Sequence, residues 1–397
     1  MKVVLAYSGG LDTSWCIPIL KEQGYSVVTV TVDVGGLSNE ELHDMQIRSM
    51  ALGAEEHRVV SAADMFFNEV IRFLIAGNVL RGNLYPLCVG AERAIQAREA
   101  ARVAAEMGAV AVAHGCTAAG NDQIRFEVAL RTVAPTLQVL APVRDLAPSR
   151  SDQLHLLQSK GVSFPLEKAA YSVNSGLWGV TIGGVETTGT EQSIPESAWS
   201  RTAGAFQYPR DASTHCIRFE SGIPTALDGQ EMPPVALIQA LDRLAGEYGI
   251  GRGIHLGETI LGIKGRVAFE APAATLILGA HRELEKLTLT KRQQSLKETV
   301  ANLYGEWVHE GLFTEPAARQ AEALLADSQA RVTGEVFFEL RPGNVFFTGV
   351  TSPYSLHAAS RAVYGEAMGE WTAEDAKGFG RLFGLAGVLH ARAGSGS

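Results

Sequence analysis

The chain has only four cysteines, Cys16, Cys88, Cys116 and Cys216, with no CxxC pair among them, so neither a disulfide framework nor a thiolate zinc site is indicated. Long hydrophobic runs are also missing. No apolar stretch approaches a membrane span, and the N-terminus lacks the basic start and cleavage site of a signal peptide, so a cytoplasmic location is expected. Positive charge is not in excess: 34 Lys and Arg against 43 Asp and Glu give a net charge of -9. That balance disfavours a broad nucleic-acid surface, which shows as a basic patch or stripe. What is present is an ordinary globular composition, 46% hydrophobic with a mean hydropathy of +0.06. At 397 residues the chain is long enough for two or three domains. Small molecules are the expected partners, with neither nucleic acid nor membrane.

The most informative segment is Lys2–Ser14. An apolar run, Val3–Tyr7, leads directly into Ser8-Gly9-Gly10-Leu11-Asp12-Thr13-Ser14 and then a helical pattern. Glycines let the backbone approach an anion, and the first N–H groups of a helix with its dipole favour negative charge. Ser8, Thr13 and Ser14 add hydroxyl donors. The spacing is not that of a Walker loop, and the bland alternative is a strand-turn-helix corner with an ordinary cap. Further apolar runs at Val27–Val34, Val110–His114 and Leu137–Ala141 read as buried parallel strands, separated by helical patterns that stop at Gly24, Gly108 and Gly161. This alternation predicts a doubly wound sheet with ligands at the carboxyl ends of its strands. A second polar loop, His114–Asp122, follows such a strand, so one bipartite site is plausible.

Beyond residue 168 the texture changes to clustered glycines, short strands and longer helices, an α+β pattern. Phe337–Leu340 and Val345–Phe347 flank Arg341-Pro342-Gly343-Asn344 as a hairpin. Pro233–Tyr248 and His281–Glu310 carry helical patterns, the second broken near Thr288. Ala373 to Arg392 reads as a helical tail whose stripe of Phe379, Leu382, Phe383 and Leu389 needs a partner surface such as another subunit. Residues 393–397 read as a linker remnant.

Tyr7–Ser14, the Asp33-Val34-Gly35 turn, Gly120–Glu127, Tyr171-Ser172 with Leu177-Trp178-Gly179, Gly262–Arg266 and the Asp375–Phe379 tail occur in that order. Together they resemble the argininosuccinate synthase family over nearly the whole chain. The resemblance implies an α/β fold: a doubly wound parallel-sheet nucleotide-binding domain of the PP-loop (adenine nucleotide alpha hydrolase-like) type over 1–168. It further implies an α+β synthetase domain over 169–364, a C-terminal oligomerisation helix over 365–392, and a homotetramer. The implied reaction is a ligation of citrulline and aspartate using ATP with Mg, releasing AMP and pyrophosphate.

By the same resemblance, Ala6, Tyr7, Ser8, Gly9, Gly10, Leu11, Asp12, Thr13, Ser14, Val32 and Gly115 bind ATP. Thr117, Asn121 and Asp122 bind aspartate. Tyr85, Gly90, Asn121, Arg125, Ser172, Thr181, Glu258 and Phe269 face the acceptor, with Asp12 and Arg125 as catalytic candidates and Asp12 as a candidate to place magnesium. No resident metal site is expected. By pattern alone, Asn121-Asp122 reads first as a helix N-cap pair.

The acceptor side departs from the family pattern. Gly90 stands where a serine or threonine is expected, Gly257 stands at a glutamate position with Glu258 beside it, Phe269 replaces a tyrosine, and Thr181 replaces a serine. Ala118-Ala119 replaces Gly-Lys, and Gly36 replaces Gln. The expectation is a roomier acceptor pocket, weaker toward the charged end of citrulline, with recovery on Gly90→Ser and Phe269→Tyr. Two other readings stand beside the ligase: a paralogue keeping ATP and aspartate with another carbonyl acceptor, and a nucleotide-binding module without a reaction. A tRNA-modifying relative of the loop is disfavoured, because it would need a cysteine pair or a basic extension.

Overall fold

A computed structural model describes residues 1–164 and 171–394. The expected boundary at 168/169 and most of the expected linker at 393–397 lie outside the described residues, although a terminal helix, Leu385–Gly394, extends past 392. Two compact units are present, Met1–Ser352 and Pro353–Ser397, so the division falls ahead of the expected residue 365, directly after the last strand of the larger unit.

Near-continuous apolar runs form the central strands of a parallel sheet: β1 (Lys2–Ala6), β2 (Ser26–Asp33), β3 (Glu56–Ser61), β4 (Ala111–Ala113) and β5 (Gln138–Leu140), in the order β3-β2-β1-β4-β5. The flanking helices end at Glu22, Glu106 and Ser159, each shortly before its expected glycine. Sequence reading omits β3. It is an edge strand, half-exposed, with Glu56 and Arg58 paired to each other at 2.6 Å, so it never presents a buried apolar run. The order reverses between β1 and β4, which opens a crevice at their carboxyl ends.

The rest of the larger unit is built on two antiparallel sheets. One contains β6 (Ser172–Gly176), β7 (Gly179–Gly183), β11 (Arg252–Glu258) and β12 (Lys264–Glu270), in the order β11-β12-β7-β6. The other contains β8 (Ser213–Glu220), β9 (Ile223–Leu227), β10 (Gln230–Glu231), β13 (Gly334–Arg341) and β14 (Asn344–Thr351), in the order β10-β9-β8-β13-β14. The expected hairpin is β13–β14, with Arg341 opposite Asn344 across the Pro342-Gly343 turn. Helix Pro234–Gly246 forms as expected, while the second helical pattern begins earlier, at Pro272, and breaks between Thr288 and Lys291.

The halves on either side of that break are tied by a buried network. Lys297 pairs with Glu285 at 2.8 Å and donates to the Ala76 carbonyl at 2.9 Å, while Asn78 donates to Glu285 at 2.6 Å. A buried charge pair is tolerated when its remaining donors and acceptors are met, as these are. The network fixes the helix Lys291–Glu310, whose last turn reaches the candidate site.

The smaller unit contains helices Ala373–Phe383 and Leu385–Gly394. The first is started by a Thr372–Asp375 capping box. Phe379, Leu382, Phe383 and Leu389 are all exposed, and Phe379 stacks on Phe383 with ring centroids 5.1 Å apart.

Candidate active site

β1 runs straight into the Ser8–Ser14 loop, and helix Leu11–Glu22 starts there with Gly10 as its N-cap and no side-chain cap. Its first intrahelical bond is Ser14 N–H to the Gly10 carbonyl, 3.0 Å. The N–H groups of Leu11, Asp12 and Thr13 therefore precede it and need a partner from outside the helix. Gly9 has a φ of +70°, and a Cβ there would lie 2.6 Å from Met45, so a side chain is excluded at the closest turn. Arg48 donates to the Gly9 carbonyl at 2.6 Å, and the Thr13 hydroxyl lies 3.1 Å from that of Ser8. The loop thus ends at a helix N-terminus whose first N–H groups are not used within the helix, a geometry that favours an anion.

One expected donor faces the other way. Ser14 is fully buried and its hydroxyl pairs with Tyr7 at 3.1 Å, so both residues hold the loop's shape instead of presenting hydroxyls to a ligand. Asp12 Oδ1 accepts from Gln153 at 2.8 Å, which orients the carboxylate at the start of the helix. Ala6 and Val32 lie at the ends of β1 and β2 behind the loop.

The second loop follows β4, the strand next to β1. Gly115 packs so closely that a Cβ there would lie 3.0 Å from the Thr13 backbone nitrogen, which joins the two loops. Thr117 is exposed at the loop tip. Asn121 and Asp122 open helix Asp122–Val133, but they do not cap it. Instead, Asn121 Oδ1 accepts from Ile260 N–H at 2.9 Å in the β11–β12 turn. Asp122 accepts from Arg93 at 3.0 Å and from Arg125 at 2.7 Å. Burial pushes its carboxyl pKa up, but the two guanidiniums outweigh that and hold it at about 2. Burial raises the Cys88 and Cys116 thiols to about 12, so neither offers a thiolate nucleophile.

Of the expected acceptor-side residues, Gly90 lies against Arg125. Arg125 is buried and donates to Asp122 on one side; on the other, Nε donates to the His309 carbonyl at 2.7 Å and Nη2 lies 3.1 Å from His309 Nδ1. Gly90, with φ of +104°, lies against this guanidinium, and a Cβ there would be 2.7 Å from its carbon. Tyr85 is buried, with its hydroxyl donating to the Val89 carbonyl at 3.0 Å. Its ring stacks on His255 at 5.3 Å and meets Phe269 edge-on at 5.2 Å.

Arg81 donates to the Glu258 carbonyl at 2.7 Å and contacts His309 Nε2. The Glu258 carboxylate is exposed and pairs with Lys264 at 2.8 Å. Thr181 is buried on β7 opposite Phe269, and Ser172 is exposed at the start of β6 opposite Gly183.

Two stretches of the chain match known family descriptions. Residues 2–163 match the "Arginosuccinate synthase N-terminal HUP domain" and residues 171–390 the "Arginosuccinate synthase C-terminal domain". The argininosuccinate synthase of Xanthomonas campestris pv. campestris is 38% identical over 395 residues, covering 98% of both chains. That of Methanocaldococcus jannaschii is 36% identical over 388 residues, covering 98% of this chain and 97% of its own. That of Ligilactobacillus salivarius is 37% identical over 391 residues, covering 98% and 96%. The chain belongs to the argininosuccinate synthase family. It is therefore a ligase, with the HUP-type α/β domain expected from its first loop.

Within this family member, the expectation of a roomier acceptor pocket fails at two of the altered positions. Arg125 fills the space that a side chain at Gly90 would take. The His255 imidazole fills that of Gly257, where a Cβ would lie 2.5 Å from Nε2. Gly90→Ser would therefore crowd the Arg125 guanidinium and strain the backbone at a positive φ. Gly36 has the same kind of reason: the backbone of Gly176 comes within 2.7 Å of where its Cβ would be. Sequence reading missed Arg93, Asn174, Arg81, His255 and His309. Arg93 joins Asp122 to Asn174 Oδ1, which it meets at 3.2 Å. None of the five belongs to a local motif. Only the spatial convergence of distant segments picks them out.

Proposed function

We propose that this chain joins aspartate to citrulline using ATP, and releases AMP and pyrophosphate. A ureido oxygen is a poor leaving group. It therefore attacks the α-phosphorus of ATP, expelling pyrophosphate and leaving the ureido carbon activated as an adenylate. The aspartate amine then attacks that carbon, and AMP departs with the ureido oxygen. The Ser8–Thr13 cradle stabilises the departing pyrophosphate, where negative charge accumulates. Magnesium bound with the nucleotide would screen its phosphates. Asp12 fits that task, because Gln153 engages Oδ1 alone and among the described residues Oδ2 has no hydrogen bond. Asp122 receives the aspartate ammonium, with Thr117 and Asn121 at its side, and Arg125 faces the acceptor. Catalysis rests on positioning and charge stabilisation without a covalent nucleophile.

The observation that carries this reading is the convergence of the anion cradle, the Asp122 carboxylate and Arg125 at one reversal point of the parallel sheet. Incubation with ATP, aspartate and a panel of ureido, amide and carboxylate acceptors, followed by mass spectrometry, tests it. Argininosuccinate from citrulline is expected, and ligation only to another acceptor would favour the paralogue. The exposed Phe379, Leu382, Phe383 and Leu389 are the surface proposed for homotetramer assembly, which light scattering measures directly.

A further inference from the structure

We propose that Arg81 and His309, working beside Arg125, form a carboxylate subsite for the amino-acid end of the acceptor. The proposal rests on the ligase reading above and extends it to residues outside the family pattern that the sequence displays. His309 stands in the last turn of helix Lys291–Glu310 and is 7% exposed. Both of its ring nitrogens face guanidinium groups: Nδ1 faces Arg125 Nη2 at 3.1 Å, and Nε2 faces Arg81 Nη1. Arginine only donates, and a neutral imidazole offers one accepting nitrogen. One of the two contacts therefore sets N–H against N–H, and an imidazolium between two guanidiniums would be worse. The cluster is short of one acceptor. A second buried group nearby is also unmet: His255 is 9% exposed, and among the described residues its Nε2 has no hydrogen-bond partner.

The chemistry that resolves this shortage is an anionic oxygen acceptor. A carboxylate drawing Arg81 away from His309 would supply acceptors for the guanidinium in fork geometry and leave the imidazole to accept from Arg125 alone. The location fits an acceptor ligand. Arg81 touches Glu258, His309 touches Arg125, and His255 stacks on Tyr85, so each is in contact with a residue expected to face the acceptor. Where polar groups are missing at Gly90, Gly257 and Phe269, the neighbouring contacts of Arg81 and His309 supply a cationic group, one suited to the charged end of an amino acid.

The test compares citrulline with citrullinamide, whose carboxylate is amidated, as acceptors for the unmodified enzyme and for Arg81→Gln. The unmodified enzyme is expected to prefer citrulline in kcat/KM by about 10- to 100-fold, the range of one charge-assisted hydrogen-bond pair. Arg81→Gln should lose most of that preference, with the KM values for ATP and aspartate unchanged, and Arg81→Lys should recover part of it. An Arg81→Gln enzyme that folds, by its melting curve, and discriminates as well as the parent overturns the subsite. If the unmodified enzyme forms no argininosuccinate, the citrulline reading fails instead. Calorimetric binding of the same two compounds then judges the subsite, and equal affinities overturn it.

Discussion

Arg125 separates two regions that handle charge in opposite ways. On its aspartate side, Asp122 offers two oxygens to two guanidiniums, those of Arg93 and Arg125, and donors and acceptors balance. On its acceptor side, His309 offers one accepting nitrogen to two guanidiniums, those of Arg125 and Arg81, and they do not. A region that is complete in itself is preorganised for a ligand that adds little charge, such as an ammonium with its own carboxylates. A region with surplus donors is incomplete until a ligand brings an acceptor. The residue types are similar on both sides; the match of donors to acceptors decides what each can receive.

The largest expected effect breaks the balanced side. Asp122→Asn keeps the shape but removes the charge that Arg93 and Arg125 surround. It should raise the apparent KM for aspartate far more than that for ATP, by an amount equivalent to about 2–5 kcal/mol. Steady-state kinetics with each substrate varied would check this, and unchanged use of aspartate would remove Asp122 from the donor site. Next comes Gly90→Ser, which places a side chain on the Arg125 guanidinium at a positive φ. The expected outcome is a destabilisation of about 1–3 kcal/mol and poorer citrulline use, measured by denaturation and by KM.

A pH experiment sharpens the unbalanced side. Burial, then the charges of Arg125 and Arg81, hold His309 down at about 3, against an ordinary value of 6.5. Between those values the unfolded chain binds a proton that the folded chain refuses, so stability is lost as pH falls through this window. His309→Gln should flatten part of that acid slope in denaturation midpoints taken between about pH 7 and pH 4. His114, which burial holds at about 4, and His57, His255 and His281, which burial also holds below the ordinary value, keep the remainder, so the slope is reduced and not abolished. The smallest effect on citrulline use is expected from Phe269→Tyr, since that ring is buried against Tyr85 with its outer end packed on Gly253, which leaves an added hydroxyl no room toward a ligand. Little change in citrulline KM and a loss of about 1–3 kcal/mol in stability are anticipated.

The parallel sheet was legible because its central strands are buried on both faces and must be apolar, and because the helices ending at Glu22, Glu106 and Ser159 each stop shortly before a glycine. β3 escaped because an edge strand is under no such constraint. The anion loop was legible for a similar reason: its glycines, its helix start and its hydroxyls are contiguous. The acceptor side was legible only as a set of absences. Gly90 and Gly257 read as lost polar groups, yet their places are taken by Arg125, which arrives from another segment, and by His255, two residues away on the same strand. Arg81 and His309 lie 228 residues apart, and no local pattern joins them.

The most direct test of the central claim follows the ureido oxygen. With citrulline labelled by ¹⁸O in the ureido group, ATP and unlabelled aspartate, the adenylate route moves the label into the phosphate of AMP and leaves pyrophosphate unlabelled. Mass spectrometry of the separated products should find one ¹⁸O in AMP for each argininosuccinate formed. ADP with labelled inorganic phosphate would contradict the account, because the cradle at Ser8–Thr13 would then serve transfer of a terminal phosphoryl group.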